Sequence, residues 1–330
     1  MKCKAFTNTL LINKKYVSKS TVFATVLLAF SLSINAQYNS DNLKLTANDY
    51  SVQRYTYEKL RIYPIRANDI FRKAHESIGK YNNLKHAIEK KQLKVSEVNE
   101  SGTVNTLNAE NTSRDTVYIM AGEVVKGGKQ DRMIAEDIVI APGQKVNISA
   151  FCVERGRWAK SKSGSDFNGY FNVSSKEVRK AAIIEKNQSR VWEEVGETTM
   201  ENGASTATGT YAALENSKEY IEQRDKYFEK FKSAWDGDPK VVGVVAVTGD
   251  KIISCDIFAT HDLFANAYNN LLHSYLTDAI TNGKEVSISS RQVQAYIDEF
   301  LADETKQEEV LEKKGKLFKV NGMKLHLTSF

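Results

Sequence analysis

The sequence predicts an α+β protein with a strand-rich, sandwich-like sheet in the N-terminal half and helices packed on a hairpin-containing C-terminal half. Three observations carry this. From Leu93 to Val153 short apolar β-type runs are punctuated by Glu100-Ser101-Gly102, Asn111 to Asp115, Gly127-Gly128 and Pro142-Gly143. After Ser174, apolar residues recur at helical spacing over long stretches. Between those stretches the continuously apolar run Val241 to Val247 turns through Thr248-Gly249-Asp250 into Ile252 to Phe258, the pattern of a buried hairpin.

Taken in order, residues 37–59 are polar and read as an irregular segment. Leu60 to Ile65 is a strand, and Pro64, which has no N–H to donate, favours an edge position. Asp69 to Lys91 carries an imperfect helical stripe of Ile70, Phe71, Ala74, Ile78, Leu84 and Ile88, broken near Gly79. The regularly spaced strands that follow suggest a sandwich or barrel-like sheet. Arg157 to Gly169 is a polar Ser/Gly-rich surface loop.

Ser174-x-x-Glu177 reads as a capping box opening a helix to about Val195. Glu197 to Tyr211, rich in Thr, Gly and Ala, reads as a linker. Leu214 to Trp235 returns to helix, with Tyr220, Ile221, Phe228, Phe231 and Trp235 on its buried face. Asp262 to Ile280 is an amphipathic helix, and Ser290 to Leu301 is another that extends into a charged run through Lys314. Asn321-Gly322 between Leu317 to Val320 and Met323 to Leu327 is the clearest hairpin turn in the chain. The implied organisation is a leader over 1–36, the segment 37–59, and one compact unit over 60–330. That unit has a motif-bearing strand-rich part at 93–158 and a helical and hairpin part at 174–330.

The leader reading rests on Lys2, Lys4, Lys14, Lys15 and Lys19 ahead of the apolar run Thr21 to Ile34, with Ala36 before a plausible cut. A helix needs roughly 20 apolar residues to span a bilayer, so the run implies export to the periplasm or extracellular space rather than an anchor. Gln37 rather than Cys stands directly after the cut, which argues against a lipoprotein. The chain has 46 Lys and Arg against 41 Asp and Glu. Removing the five leader lysines leaves 41 against 41. A neutral mature chain gives no charge-based case for a nucleic acid or an anionic membrane as partner. Only Cys152 and Cys255 remain. Export permits a disulfide between them, yet both lie in strand-like apolar runs where a free thiol packs as a small hydrophobe. The pairing stays open.

Candidate function concentrates in Ala121 to Trp158, AGEVVKGGKQDRMIAEDIVIAPGQKVNISAFCVERGRW. Val117, Ile119 and Ala121 alternate toward Glu123, and Val146, Ile148, Ala150 and Cys152 alternate toward Glu154. Each carboxylate thus extends an apolar face. Burial there raises a carboxyl pKa unless a cation holds it, and Arg132 and Arg157 are candidate partners. One reading places Glu123 and Glu154 as acid and base, with Gly128, Gln130, Asp131, Arg132, Arg157 and Trp158 binding a small polar ligand. If the protein is an enzyme, hydrolysis by the paired carboxylates is then the reaction class. The competing reading has Glu–Arg pairs pinning strand ends in a structural or protein-interaction module.

Gly127-Gly128 could present amides to an anion or simply turn the chain. Cys152 is a secondary candidate as a nucleophile, without a nearby base in sequence. Asp256, an acid inside the apolar strand Ile252 to Phe258, is another, either in an active site or accepting backbone N–H groups. No HExxH or CxxC spacing points to zinc, and no cofactor is indicated.

The blocks GEVVKGGKQDR (Gly122 to Arg132), IAPGQ (Ile140 to Gln144) and FCVERGRW (Phe151 to Trp158) resemble the ARG- and rhodanese-phosphatase-superfamily-associated protein domain. QSRVWEEV (Gln188 to Val195) and the stretch Val241 to Ala279 fit it as well, so the resemblance spans most of Leu60 to Ala279. It implies that Glu123, Gly128, Gln130, Arg132, Cys152, Glu154, Gly156, Arg157 and Trp158 occupy family motif positions. It also implies, by the family's association with ADP-ribosylglycohydrolase-like and phosphatase-like proteins, an ADP-ribose- or nucleotide-related ligand.

Overall fold

The structure, a computed structural model, describes residues 38–46, 52–99, 103–159 and 164–330. The expected leader, the Glu100-Ser101-Gly102 turn and part of the Arg157 to Gly169 loop lie outside the described residues. The first elements are β1 (Leu43–Leu45), β2 (Thr56–Tyr57), β3 (Leu60–Ala67), α1 (Asp69–Ala74), β4 (Asn82–Asn83) and α2 (Leu84–Glu89). Seven strands follow: β5 (Leu93–Glu97), β6 (Thr106–Asn111), β7 (Val117–Ile119), β8 (Glu123–Lys126), β9 (Arg132–Ile134), β10 (Ile138–Ile140) and β11 (Lys145–Cys152). Next come β12 (Asp166–Phe167), β13 (Gly169–Val173), α3 (Lys176–Ile183), α4 (Gln188–Glu201) and α5 (Lys218–Phe231). The chain ends with β14 (Val241–Thr248), β15 (Lys251–Phe258), α6 (His261–Asn282), α7 (Ser290–Leu301), α8 (Glu304–Lys314), β16 (Gly315–Val320) and β17 (Met323–Ser329). The α+β class holds, with sheets that are antiparallel apart from the short parallel β4–β7 pair and with most helices in the C-terminal half.

The apolar hairpin forms the centre of one seven-stranded sheet, ordered β1-β3-β14-β15-β17-β16 with β2 paired to β3. Both faces of β14 are covered, as a continuous apolar run requires. Val244 and Ala246 pack in one cluster with Leu271, Tyr275 and Leu276 of α6, while Val245 and Val247 share another with Val293, Ile297 and Phe300 of α7. Asn321 (φ 50°) and Gly322 (φ 82°) both take the left-handed conformation that a two-residue hairpin turn needs.

A second seven-stranded sheet runs β12-β5-β6-β11-β9-β8-β13, and β7 lies between β10 and β4 in a three-stranded sheet. Only Asn168 separates β12 from β13, so the chain joins the two ends of the larger sheet and curls it round a core. Leu93, Val95, Leu107, Ile148 and Ala150 of that sheet pack there with Val117, Ile119 and Ile140 of the smaller one and with Leu84 and Ile88 of α2.

Several local expectations are corrected. β3 is internal, flanked by β1 and β14. Its Pro64 is tolerated because the missing N–H lies on the β1 side, where pairing ends as the Pro64 carbonyl accepts from Thr46 N–H at 3.1 Å. The 69–91 stripe divides into α1 and α2, each N-capped by an Asn side chain, Asn68 and Asn83. The helix expected from Ser174 to Val195 is two helices, separated where Lys186 adopts φ 51° and Asn187 caps α4. The capping box does not form: Ser175 is the N-cap without a side-chain bond, and Ser174 Oγ donates to the Gly122 carbonyl at 3.2 Å instead. The supposed linker contributes its first residues to α4, and its Ala204 is buried. The charged run after Leu301 is a separate helix, α8. Cys152 and Cys255 are buried free thiols in different sheets.

Candidate functional site

Three side-chain groups must be placed: the motif cluster, Glu123, and Asp256. In the motif cluster, Gly127 to Asp131 connects β8 to β9 and meets the segment leaving β11. Gly128 sits at φ +48°, and a Cβ there would lie 2.3 Å from Phe167 Cζ, so the turn needs glycine. Its amides are already used. Gly127 N–H donates to Asp131 Oδ1 (3.0 Å), Gly128 N–H to the Asp166 carbonyl (3.1 Å) and Lys129 N–H to Glu97 Oε1 (2.9 Å). No anion nest is left open by these three.

Glu154 bridges to Thr210 and accepts from Asp131 N–H (3.0 Å) and Arg157 Nε (2.9 Å). Arg157 Nη2 reaches Glu154 (2.6 Å) and Asp131 Oδ1 (3.2 Å), its Nη1 donates to the Gly128 carbonyl (2.9 Å), and Thr210 donates to Asp131 Oδ2 (2.7 Å). Burial pushes the Asp131 carboxyl up, against the Thr210 hydrogen bond. For Arg157 burial disfavours the charge, but Glu154 and Asp131 together outweigh it and the pKa rises. Gly156 ties the same region to the supposed linker through its N–H to the Thr208 carbonyl (2.7 Å).

Arg132 and Cys152 are paired across β9 and β11, so they share the face that looks into the curled sheet. Arg132 is fully buried. Its Nη1 donates to the Gln130 carbonyl at 3.0 Å and stands 3.4 Å from Gln130 Oε1, while Nη2 stands 3.7 Å from Glu97 Oε1. Arg132 Nε and Nη2 and Glu97 Oε2 have no hydrogen-bond partner. Trp158, 49% exposed, lies over this guanidinium with its ring centroid 5.7 Å from Cζ. Burial raises the Cys152 thiol pKa although Arg132 opposes it, which disfavours a thiolate nucleophile.

Glu123 stands apart from this group. The chain turns at Ala121-Gly122, so Glu123 does not continue the β7 face; it begins β8 in another sheet. Its carboxyl closes the turn, accepting from Met120 N–H (2.8 Å) and Tyr170 O–H (3.0 Å). Burial outweighs both bonds and pushes its pKa to about 8. By register Glu123 lies level with Ile134, and Glu154 lies level with Gln130. Four residues along a strand are roughly 13 Å, and the two carboxyls share no partner. The structure brings Asp131, Glu154 and Arg157 together but leaves Glu123 separate.

Asp256 anchors a network that extends far beyond its own strand. It accepts from Arg179 Nη2 (3.0 Å), Thr328 Oγ1 (2.7 Å), Ser254 Oγ (2.6 Å) and Tyr275 O–H (2.7 Å). These are side-chain donors rather than the backbone N–H groups considered above. His326 Nε2 lies 3.4 Å from Asp256, and its Nδ1 donates to Asp137 Oδ2 at 2.6 Å. Asp137 also accepts from Tyr118 O–H (3.0 Å) and Ala121 N–H (2.7 Å). Burial works against a charged His326, but Asp137 and Asp256 outweigh it and raise its pKa to about 9. Burial would raise Asp256, yet Arg179 and His326 hold it far below the carboxylate range. Gly122 (φ +95°) makes room for Arg179, whose Cγ would lie 3.0 Å from a Cβ at that position.

Sequence reasoning flagged Asp256 and missed Asp137, Arg179, His326 and Thr328. The available signal was weak: His326 and Thr328 alternate with Leu325 and Leu327 in the second strand of the Asn321-Gly322 hairpin. Beside Asp137 and Thr328 opens a cleft of about 520 Å³. It lies between β9–β11, the end of α3 and the β16–β17 hairpin, with Phe151, Ile183, Leu317 and Phe318 among its apolar walls. Two hollows of similar volume, beside His261 (about 560 Å³) and along α8 (about 600 Å³), are more open and touch none of the network. Among the described residues no group of three or more His, Cys, Asp or Glu could hold a metal ion, and no helix is long and apolar enough to cross a membrane.

No curated protein and no solved structure shows significant similarity to the chain. A family profile does match, over residues 50–325. The match covers the motif cluster, Asp137, Arg179 and Asp256, and it continues past Ala279 through α7 and α8 into β17. The chain therefore belongs to the ARG and Rhodanese-Phosphatase-superfamily-associated Protein domain family.

Proposed function

We propose that the protein is an exported small-molecule-binding module whose ligand occupies the cleft between β9–β11 and the β16–β17 hairpin. The observation that carries this reading is the cleft itself. It combines about 520 Å³ of space and apolar walls with one fixed carboxylate, Asp137, held by His326. Concave, mostly apolar pockets with a few oriented polar groups are the usual small-molecule sites. Asp131, Glu154 and Arg157 satisfy one another and so serve as a structural brace outside this cleft. The basic leader followed by an apolar run supports export.

The test is a thermal-shift screen of small molecules on the mature chain, repeated on Ala135→Phe, which fills the cleft. A ligand at 100 times its Kd adds about 2.7 kcal/mol of stability. Hits on the wild type that vanish in Ala135→Phe, with its own unfolding unchanged, are expected. Hits indifferent to Ala135→Phe would place the ligand elsewhere.

A second reading keeps the ligand at the motif, and one observation favours it: the unpartnered donors of buried Arg132 and the unpartnered oxygen of Glu97. There the ligand would be small and polar, under Trp158. Hits abolished by Trp158→Ala but retained in Ala135→Phe would select this reading.

A further inference from the structure

We propose that the cleft takes a small organic anion with an apolar body, an aryl or acyl group carrying a carboxylate, sulfonate or phosphate. This rests on the cleft being the binding site. Lys186 and Lys316 both line it, from different elements. Lys186 belongs to the break between α3 and α4, and Lys316 to β16. Both are exposed, and neither ammonium has an ion-pair or hydrogen-bond partner among the described residues.

The cleft's own carboxylates do not cancel these charges. Asp137 is matched by His326, which burial disfavours as a cation but which Asp137 and Asp256 keep protonated to about pH 9. Glu136 accepts from Ser149 Oγ at 2.7 Å and is the one carboxylate of the lining without a cation. Within the lining of this apolar cleft, two lysines stand against one such carboxylate, although Lys316 also borders the hollow that holds Glu308, Glu309 and Glu312. Phe151, Ile183, Leu317 and Phe318 would cover the apolar body while the lysines meet the anionic head from the solvent side, where long cationic side chains keep their ammonium hydrated.

A matched pair of fluorescent probes tests the class. 8-Anilinonaphthalene-1-sulfonate and N-phenyl-1-naphthylamine share one ring system and differ by the sulfonate. In titrations of the full mature chain at low salt, the sulfonate should bind about ten-fold more tightly, the sum of two exposed charge contacts. Lys186→Gln combined with Lys316→Gln should abolish that preference and leave the affinity for the uncharged probe unchanged. Salt should shrink the preference in the wild type. If both probes bind equally, or the preference survives in the double variant while Ala135→Phe blocks both, the cleft stands and the anion class is overturned. If binding of neither probe responds to Ala135→Phe, the cleft reading itself fails, and this inference with it.

Discussion

Two charged clusters hold this molecule together, and they are made from opposite kinds of sequence. Asp131, Glu154 and Arg157 come from one stretch of the chain and sit at its margin, with the Arg157 side chain 22% exposed. Asp137, Arg179, Asp256 and His326 come from four distant stretches and meet in the interior, where the Arg179 and Asp256 side chains are fully buried. The first braces a rim that water can reach. The second joins the curled sheet to the central one, and around the fully buried Arg179 and Asp256 water cannot replace a partner that is lost. The difference is one of dielectric: a charge without its counter-ion is solvated at the rim and stranded at the junction.

The largest expected effect follows from stranding Asp256. Arg179→Ala should cost about 3–5 kcal/mol in urea unfolding, the usual penalty for breaking a buried pair. Arg179→Met with Asp256→Leu should recover only part of this: it removes the desolvation cost of Arg179 Nε and Nη1, which already lack partners, but leaves Tyr275 O–H, Ser254 Oγ and Thr328 Oγ1 without their acceptor. A loss below about 1 kcal/mol for Arg179→Ala would erase the contrast between the clusters. At the rim, Arg157→Ala should cost about 1.5–3 kcal/mol, the range for hydrogen bonds to charged groups. Arg157→Lys should restore little, since a single ammonium cannot span Glu154, Asp131 and the Gly128 carbonyl as a planar fork does.

The pH dependence separates the same regions more finely. His326 has its pKa raised to about 9, so its contribution is complete below the unfolded value of about 6.5 and is lost as pH rises through 9. Glu123, raised to about 8, is neutral in the folded protein below that pH. Folding binds its proton, and that stability is lost as pH climbs from about 4.5 to 8. Glu123→Gln should therefore leave the melting temperature unchanged at pH 5 and raise it at pH 9. A variant less stable at both values would show that the carboxylate is required. The smallest effect belongs to the surface: Lys126→Ala, which removes a half-exposed pair with Glu215, should change stability by less than about 1 kcal/mol.

The two clusters also mark how far the sequence could be read. Glu154 and its arginine were legible because they lie three residues apart at the end of an alternating strand. Glu123 was legible as a buried acid but placed wrongly, because alternation assumes an unbroken strand and the positive φ of Gly122 breaks it. Pro64 pointed to an edge, and the outcome depended on where β1 stops, which no residue near Pro64 records. Ser174 matched a capping box, yet its hydroxyl found the Gly122 carbonyl, 52 residues away, instead.

What the sequence determined by itself is the set of interactions that close within a few residues: the central apolar hairpin, the Asn321-Gly322 turn, the helical faces, and the motif that places this chain in its family. Tertiary structure alone decided the pairing of Asp256 with Arg179 and His326, the reach of His326 to Asp137, and the cleft beside them. The physical reason is that local steric and periodic preferences are properties of neighbouring residues. A buried charge, in contrast, is stabilised by whichever counter-charge the packed sheets bring within about 3 Å, and that choice is made only when the sheets meet.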